Sequence, residues 1–137
     1  MIVCRVVDAA WWWGGFYAGT RRQLELGITL KPNTHVALSA RTERNDVVLP
    51  QGTFFTQIFT IRADYNFTAN VSWATLTQYD NESRIAGVQS RFRWILQPGN
   101  DLFFAVTQGW IQEDNDTLRF RAQDGKISAK FQYTFRL

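Results

Sequence analysis

His35 is the only histidine in the chain, and it follows Lys31-Pro32-Asn33-Thr34, a run that reads as a turn. One imidazole beside a turn supports neither a hydrolase triad nor a histidine-rich metal site, so His35 reads as a satisfied or solvent-exposed side chain. The carboxylate pairs Asp114/Asp116 and Asp80/Glu82 have a spacing that could hold calcium or supply an acid and a base. Both fall in polar links between apolar segments, where solvated loop charges are the cheaper explanation. Cys4 is the only cysteine, which rules out an internal disulfide and a thiolate metal site. No glycine-rich phosphate loop is present. The glycosylation-like tripeptides at Asn66, Asn70, Asn81 and Asn115 read as incidental. The expectation is a non-enzymatic protein with no catalytic residues, no cofactor and no metal.

The charged residues carry more information. The net charge is +3 and rests on arginine, since Lys31, Lys126 and Lys130 are the only lysines. A nucleic-acid interface would gather its cations in one exposed patch, whereas here they recur singly inside alternating segments, so no nucleic-acid partner is expected. Arg41, Arg62, Arg91, Arg93, Lys130 and Arg136, with Glu25 and Asp64, occupy the polar beats of those segments. If the apolar beats face lipid, these side chains line a lumen. A cation is tolerated there, while at mid-membrane on the lipid side it costs roughly 2–4 kcal/mol. The lining is either a mildly anion-selective or saccharide-contacting channel, or an ion-paired filling of a closed interior.

Strands must position these residues. Hydrophobic content of 45% with 15% aromatic is enough for a core, and the mean hydropathy of -0.25 shows the apolar residues diluted throughout. No stretch approaches the roughly 18–20 continuous apolar residues of a membrane-spanning helix, a test to which barrels are blind because their strands need only about ten alternating residues. Period-two alternation gives about seven strands and no helix. Between Thr53 and Phe67, Phe55, Phe59, Ile61, Ala63, Tyr65 and Phe67 share a face opposite Thr56, Thr60, Arg62, Asp64 and Asn66, with Gln57 and Ile58 out of pattern. Val88, Phe92, Trp94 and Leu96 oppose Gln89, Arg91 and Arg93. Val71, Trp73 and Tyr79 oppose Gln78 and Asp80. Leu24 to Leu30, Val36 to Ala40 and Leu102 to Trp110 repeat the theme.

The connections alternate in length. Lys31–Thr34, Phe67–Asn70 and Gln97–Asn100 are tight, while Arg44–Gly52, Asp80–Arg84 and Glu113–Gly125 read as longer polar links. Strand parity puts all three tight turns at the end that holds the carboxyl terminus, as in outer-membrane barrels, whose periplasmic turns are short. Residues 1–13 read as an irregular or truncated amino-terminal segment, and residues 14–137 as the barrel segment. Met1–Ala10 lacks the apolar run of a secretory signal, so the expectation is the carboxyl-terminal part of a longer precursor. Gly14, Gly15 and Gly19 beside Trp11, Trp12, Trp13, Phe16 and Tyr17 suggest a bend and an aromatic girdle.

Two resemblances follow from particular residues. Lys130-Phe131-Gln132-Tyr133-Thr134-Phe135-Arg136-Leu137 alternates without a slip and resembles the closing strand of a bacterial outer-membrane barrel. Phe131, Tyr133, Phe135 and Leu137 would then form the signal read by the assembly machinery, with Leu137 where an aromatic residue is usual. Gly14-Gly15-Phe16-Tyr17-Ala18-Gly19-Thr20, Leu49-Pro50-Gln51-Gly52-Thr53-Phe54, Arg62-Ala63-Asp64-Tyr65-Asn66-Phe67-Thr68, Thr77-Gln78-Tyr79-Asp80 and Arg91-Phe92-Arg93-Trp94 before Pro98-Gly99-Asn100-Asp101-Leu102 resemble the closing part of domain-of-unknown-function family 5916. The likeness spans nearly everything after residue 13 and is carried by the order and spacing of the motifs. It implies a domain that follows a module similar to carbohydrate-binding family nine, in large proteins of Gram-negative bacteria, and it supplies no catalytic residues. The reading is therefore all-β, an antiparallel up-and-down meander forming the carboxyl-terminal part of a transmembrane β-barrel in the cell outer membrane. It would serve as a transport path or as a membrane anchor, with outer-membrane lipid and the assembly machinery as partners, and saccharide only through a missing upstream module. The alternative is a small soluble β-barrel holding an apolar ligand inside.

Overall fold

The computed structural model describes residues 4–113 and 119–134. These form one antiparallel sheet of eight strands in chain order, an up-and-down meander: β1 Cys4–Phe16, β2 Gly19–Lys31, β3 Val36–Leu49, β4 Gly52–Thr68, β5 Val71–Asp80, β6 Ile85–Gln97, β7 Asn100–Gln112 and β8 Phe120–Gln132. There is no helix among the described residues, and none long and apolar enough to cross a membrane. Each strand pairs with its sequence neighbour, and β1 and β8 are the two edges.

Alternation fixes the register. A one-residue slip would send Phe59, Ile61, Ala63 and Tyr65 to the side of Thr60, Arg62 and Asp64, and the observed pairing holds that separation along the middle of the sheet, although Trp12, Phe54, Leu76 and Phe103 stand on the charged side. Ala63 of β4, Thr75 of β5, Ser90 of β6 and Val106 of β7 stand in one cross-strand row. Irregularities at Asn66/Thr68, Ile95/Gln97 and Gly109/Trp110 absorb single-residue mismatches near strand ends.

The tight turns are built by short polar side chains. Asn33 Oδ1 accepts from the backbone N–H groups of His35 and Val36, both at 2.9 Å, and Thr68 Oγ1 accepts from those of Asn70 and Val71, at 3.2 and 3.1 Å. Gly99, with φ 92°, takes a backbone conformation after Pro98 that few other residues adopt.

Four expectations are corrected. The strand total is eight, because residues 4–13, expected to be irregular, form most of β1. Val6-Val7, Ala9-Ala10 and Trp11-Trp12-Trp13 break the alternation there, and it is pairing to β2 along the whole of Cys4–Phe16 that makes the segment a strand. Arg44–Gly52 is not a long link: β3 runs to Leu49 and turns over Pro50 and Gln51 alone. Its polar residues pair across to Gln57, Thr56 and Phe55, so a run that looked like loop extends the hairpin instead. Of the Glu113–Gly125 link, everything from Phe120 onward is strand. Finally, among its described residues the alternating carboxyl-terminal run contributes Lys130, Phe131 and Gln132 to β8. Tyr133 and Thr134 follow it outside the strand, and Phe135, Arg136 and Leu137 lie outside the described residues. The three tight turns do lie at one end of the sheet, but the opposite end also carries the two-residue connections Tyr17-Ala18 and Pro50-Gln51, so turn length distinguishes the two ends less than the sequence suggests.

Among the described residues Val47, 5% exposed, is the one buried hydrophobic side chain, and Asn45, 8% exposed, the one buried polar side chain. A single sheet has no second layer to bury its apolar face. Function follows from what the two faces present.

Candidate functional site

Because cross-strand partners share a face, the register assigns every side chain in the ladders to one of two surfaces. Arg41, Arg62, Asp64, Arg91, Arg93 and Lys130 all fall on the same one. Arg62 sits opposite Leu76, Asp64 opposite Ala74, Ala74 opposite Arg91, and Phe103 lies between Arg93 and Lys130. Glu25 joins them through its row with Ala10 and Glu43. The register thus puts these expected lining residues on one face, while Arg136 lies outside the described residues.

The polar face is ordered by charge pairing. Arg41 bridges Glu25 at 3.1 Å and Asp8 at 3.6 Å, reaching across the sheet over Gly27, which stands between Asp8 and Arg41 in their row. A Cβ at Gly27 would come 2.5 Å from Asp8 Oδ2, so only hydrogen leaves room for this approach. Arg21 donates to Asn45 Oδ1 through Nε and Nη2, at 3.1 and 2.7 Å, and Gln23 and Asn45 both donate to Glu43 Oε1, at 3.1 and 3.0 Å. Farther along, Arg62 Nε holds Asp64 Oδ2 at 2.8 Å and Arg93 Nη2 holds Asp101 Oδ2 at 2.7 Å. Asp8, Glu43, Asn45 and Asp101 belong to this surface, and sequence reading missed them. Asp8 lay in a segment without alternation, and Glu43 and Asn45 ran into an apparent loop. Asp101 was legible only as the residue diagonally across the Pro98-Gly99 turn from Arg93.

The opposite face is apolar and exposed. Tyr65, Trp73, Phe92 and Phe104 form one row near the tight-turn end. Phe59 and Tyr79, with Trp110 farther along the same row, form another toward the opposite end. The two rows between them, from Ala63 to Ile127 and from Ile61 to Gly125, contain no aromatic residue. Trp11, Trp13, Phe59, Ile61, Trp73, Phe104, Ile127 and Phe131 are each 44% exposed or more. Along β7 this face is uncharged from Leu102 to Trp110, which spans about 26 Å of extended chain. Its charged residues, Arg5, Arg22, Arg44 and Asp46, sit toward strand ends, where Arg44 pairs with Asp46 at 3.1 Å and lies 4.9 Å from the Phe55 ring centroid. Thr75, Ser90 and Gln108, three of the four polar side chains in these two rows from β4 to β8, are bonded within the sheet. Ser90 Oγ accepts from Trp73 Nε1 at 2.6 Å and lies 3.2 Å from Thr75 Oγ1, and Gln108 Nε2 donates to the Gly109 carbonyl at 3.0 Å.

Of the expected assembly-signal residues, Phe131 lies on the apolar face opposite Leu102, and its ring stacks on Tyr133 at 6.4 Å between centroids. Phe135 and Leu137 lie outside the described residues.

The residues first weighed for chemistry have structural partners. His35 Nδ1 lies 2.7 Å from the Asn66 carbonyl, and the Asn66 N–H donates to the His35 carbonyl at 2.7 Å, tying two neighbouring turns together. Asp80 accepts from the Glu82 N–H at 3.0 Å and from Ser83 Oγ at 2.9 Å, which shapes its own turn. Asp114 and Asp116 lie outside the described residues, and no group of three or more metal-ligating side chains occurs among those described. Comparison of the chain with protein families, with curated proteins and with solved structures returned no match.

Proposed function

We propose that this sheet is part of the wall of an outer-membrane β-barrel, with its apolar face against acyl chains and its polar face toward a lumen. The observation that carries the reading is the segregation of the two faces. One is exposed, apolar and uncharged across its middle rows from β2 to β8, and the other holds the ion-paired network. Water offers no favourable home for the first, since each large apolar side chain left uncovered forgoes about 1.5–3 kcal/mol. A bilayer covers it without a second protein layer, and the aromatic rows on either side of an aromatic-free centre match the girdles of such barrels. Internal bonding of Ser90 and Gln108 meets the demand that polar groups facing hydrocarbon find partners inside the protein.

Among the described residues β1 and β8 each have one edge without a partner strand. Open edges are untenable in a membrane, so the proposal requires β1 and β8 to be paired in the assembled wall, with each other or with further strands. The function is non-enzymatic: a transport path, or an anchor for an upstream module, which the likeness to domain-of-unknown-function family 5916 makes a carbohydrate-binding one. Lipid and the outer-membrane assembly machinery are its partners. Fractionation tests this. The intact protein is expected to stay with outer membranes through an alkaline carbonate wash and to require detergent for release. A monodisperse monomer in detergent-free buffer would point instead to a soluble barrel with an enclosed apolar ligand.

A further inference from the structure

We infer that the polar face carries a discrete oxyanion-binding site between Arg62 of β4 and Arg91 of β6. The two arginines line a cleft of about 120 Å³ whose floor is Ala74 and Leu76 of β5 and whose far wall includes Gln89. Ala74 matters because it stands directly opposite Arg91 and beside Leu76, the partner of Arg62. A larger side chain there would fill the cleft that the two arginines line.

The bonding of the two arginines differs in a way that suits a ligand. Asp64 holds Arg62 through Nε alone, which fixes the plane of the guanidinium and leaves both terminal nitrogens as donors. Arg91 has no carboxylate within ion-pair distance among the described residues. Arg93, its neighbour on the same face, is already occupied by Asp101. Two cations beside one carboxylate leave a single positive charge over the cleft. The β1–β3 part of the same face differs, because there Arg41 is matched by Asp8 and Glu25 and Arg21 is bound by Asn45 and Gln23. The site is suited to a small oxyanion group, which guanidinium forks bind with paired, charge-assisted hydrogen bonds, and the Gln89 amide adds a neutral donor. The inference concerns the polar face alone and does not depend on what covers the other.

The test is a titration of the folded protein in detergent micelles with inorganic phosphate, against sodium chloride at matched ionic strength, following the Nε–H resonances of nitrogen-15-labelled arginines. The Arg62 and Arg91 signals, assigned from Arg62→Gln and Arg91→Gln, are expected to move saturably with phosphate, with a midpoint of about a millimolar or below. Arg91→Gln should weaken binding about tenfold and Arg91→Lys by less, because lysine keeps the charge and loses the fork. Lys126→Gln, on the same face of β8, should change it less than about twofold. Far-ultraviolet circular dichroism confirms the fold of each variant, and Arg91→Lys serves if Arg91→Gln does not fold. Equal movement with chloride, a response that never saturates, or equal losses in Lys126→Gln and Arg91→Gln would each overturn the site.

Discussion

Val106 and Thr107 are consecutive residues of β7, yet the register sends them to surfaces with opposite rules. On the Val106 side, the middle rows from β2 to β8 hold no charge, and Thr75, Ser90 and Gln108 are bonded inside the sheet. On the Thr107 side, charges are abundant, paired across strands at Arg41 and Arg93 and along β4 at Arg62. A half-buried strand in a soluble sandwich shows the same period, but there the apolar side packs on a second layer. Here it is the apolar side that is exposed. The difference teaches that the two faces of one sheet obey different rules, and that the proposed lipid-facing role rests on both together.

The strongest way to break the contrast is to place a cation on each side of β7. Val106→Arg is expected to cost roughly 2–4 kcal/mol of folding stability in lipid vesicles, while Thr107→Arg stays within about 0.5 kcal/mol of the parent. Urea titration in vesicles followed by tryptophan fluorescence measures both, and equal losses would erase the distinction. Bulk makes a second comparison. Gly27→Leu drives its side chain into the Asp8 carboxylate and separates it from Arg41, so a loss of about 1–2 kcal/mol is expected in the same titration. Ala40→Leu, in a shallow apolar groove of about 430 Å³ on the opposite face, should be neutral or slightly stabilising. The smallest effect belongs to the ion pairs themselves. With its Arg41 side chain 58% exposed, Arg41→Gln should cost about 0–1 kcal/mol at low salt, and the cost should shrink as salt is raised. A loss that is insensitive to salt would mean that Arg41 acts through packing.

Much of this was legible in the sequence because period two is an unusually direct code: Phe59, Ile61, Ala63 and Tyr65 announced their face, and Arg62 and Asp64 theirs. Sequence reading failed where alternation was absent or polarity misled. Nothing local marks Trp11-Trp12-Trp13 as a strand, and only pairing with β2 makes it one. Arg44, Asn45 and Asp46 looked like loop, because a sequence does not show that Arg21 waits across the ladder to bond Asn45. The Arg62–Arg91 cleft was invisible for a related reason. It depends on Ala74 being small at one cross-strand position, and residue type without register does not supply that fact.

The central claim is tested most directly by a spin-label scan along β7, with single cysteines from position 102 to 110 in a Cys4→Ser background, in the protein folded into lipid vesicles. Accessibility to oxygen and to a water-soluble nickel chelate should alternate out of phase, with oxygen favoured at positions 102, 104, 106 and 110 and the chelate at 103, 105, 107 and 109. Chelate access at both sets of positions, or no alternation, would contradict a lipid-facing apolar surface.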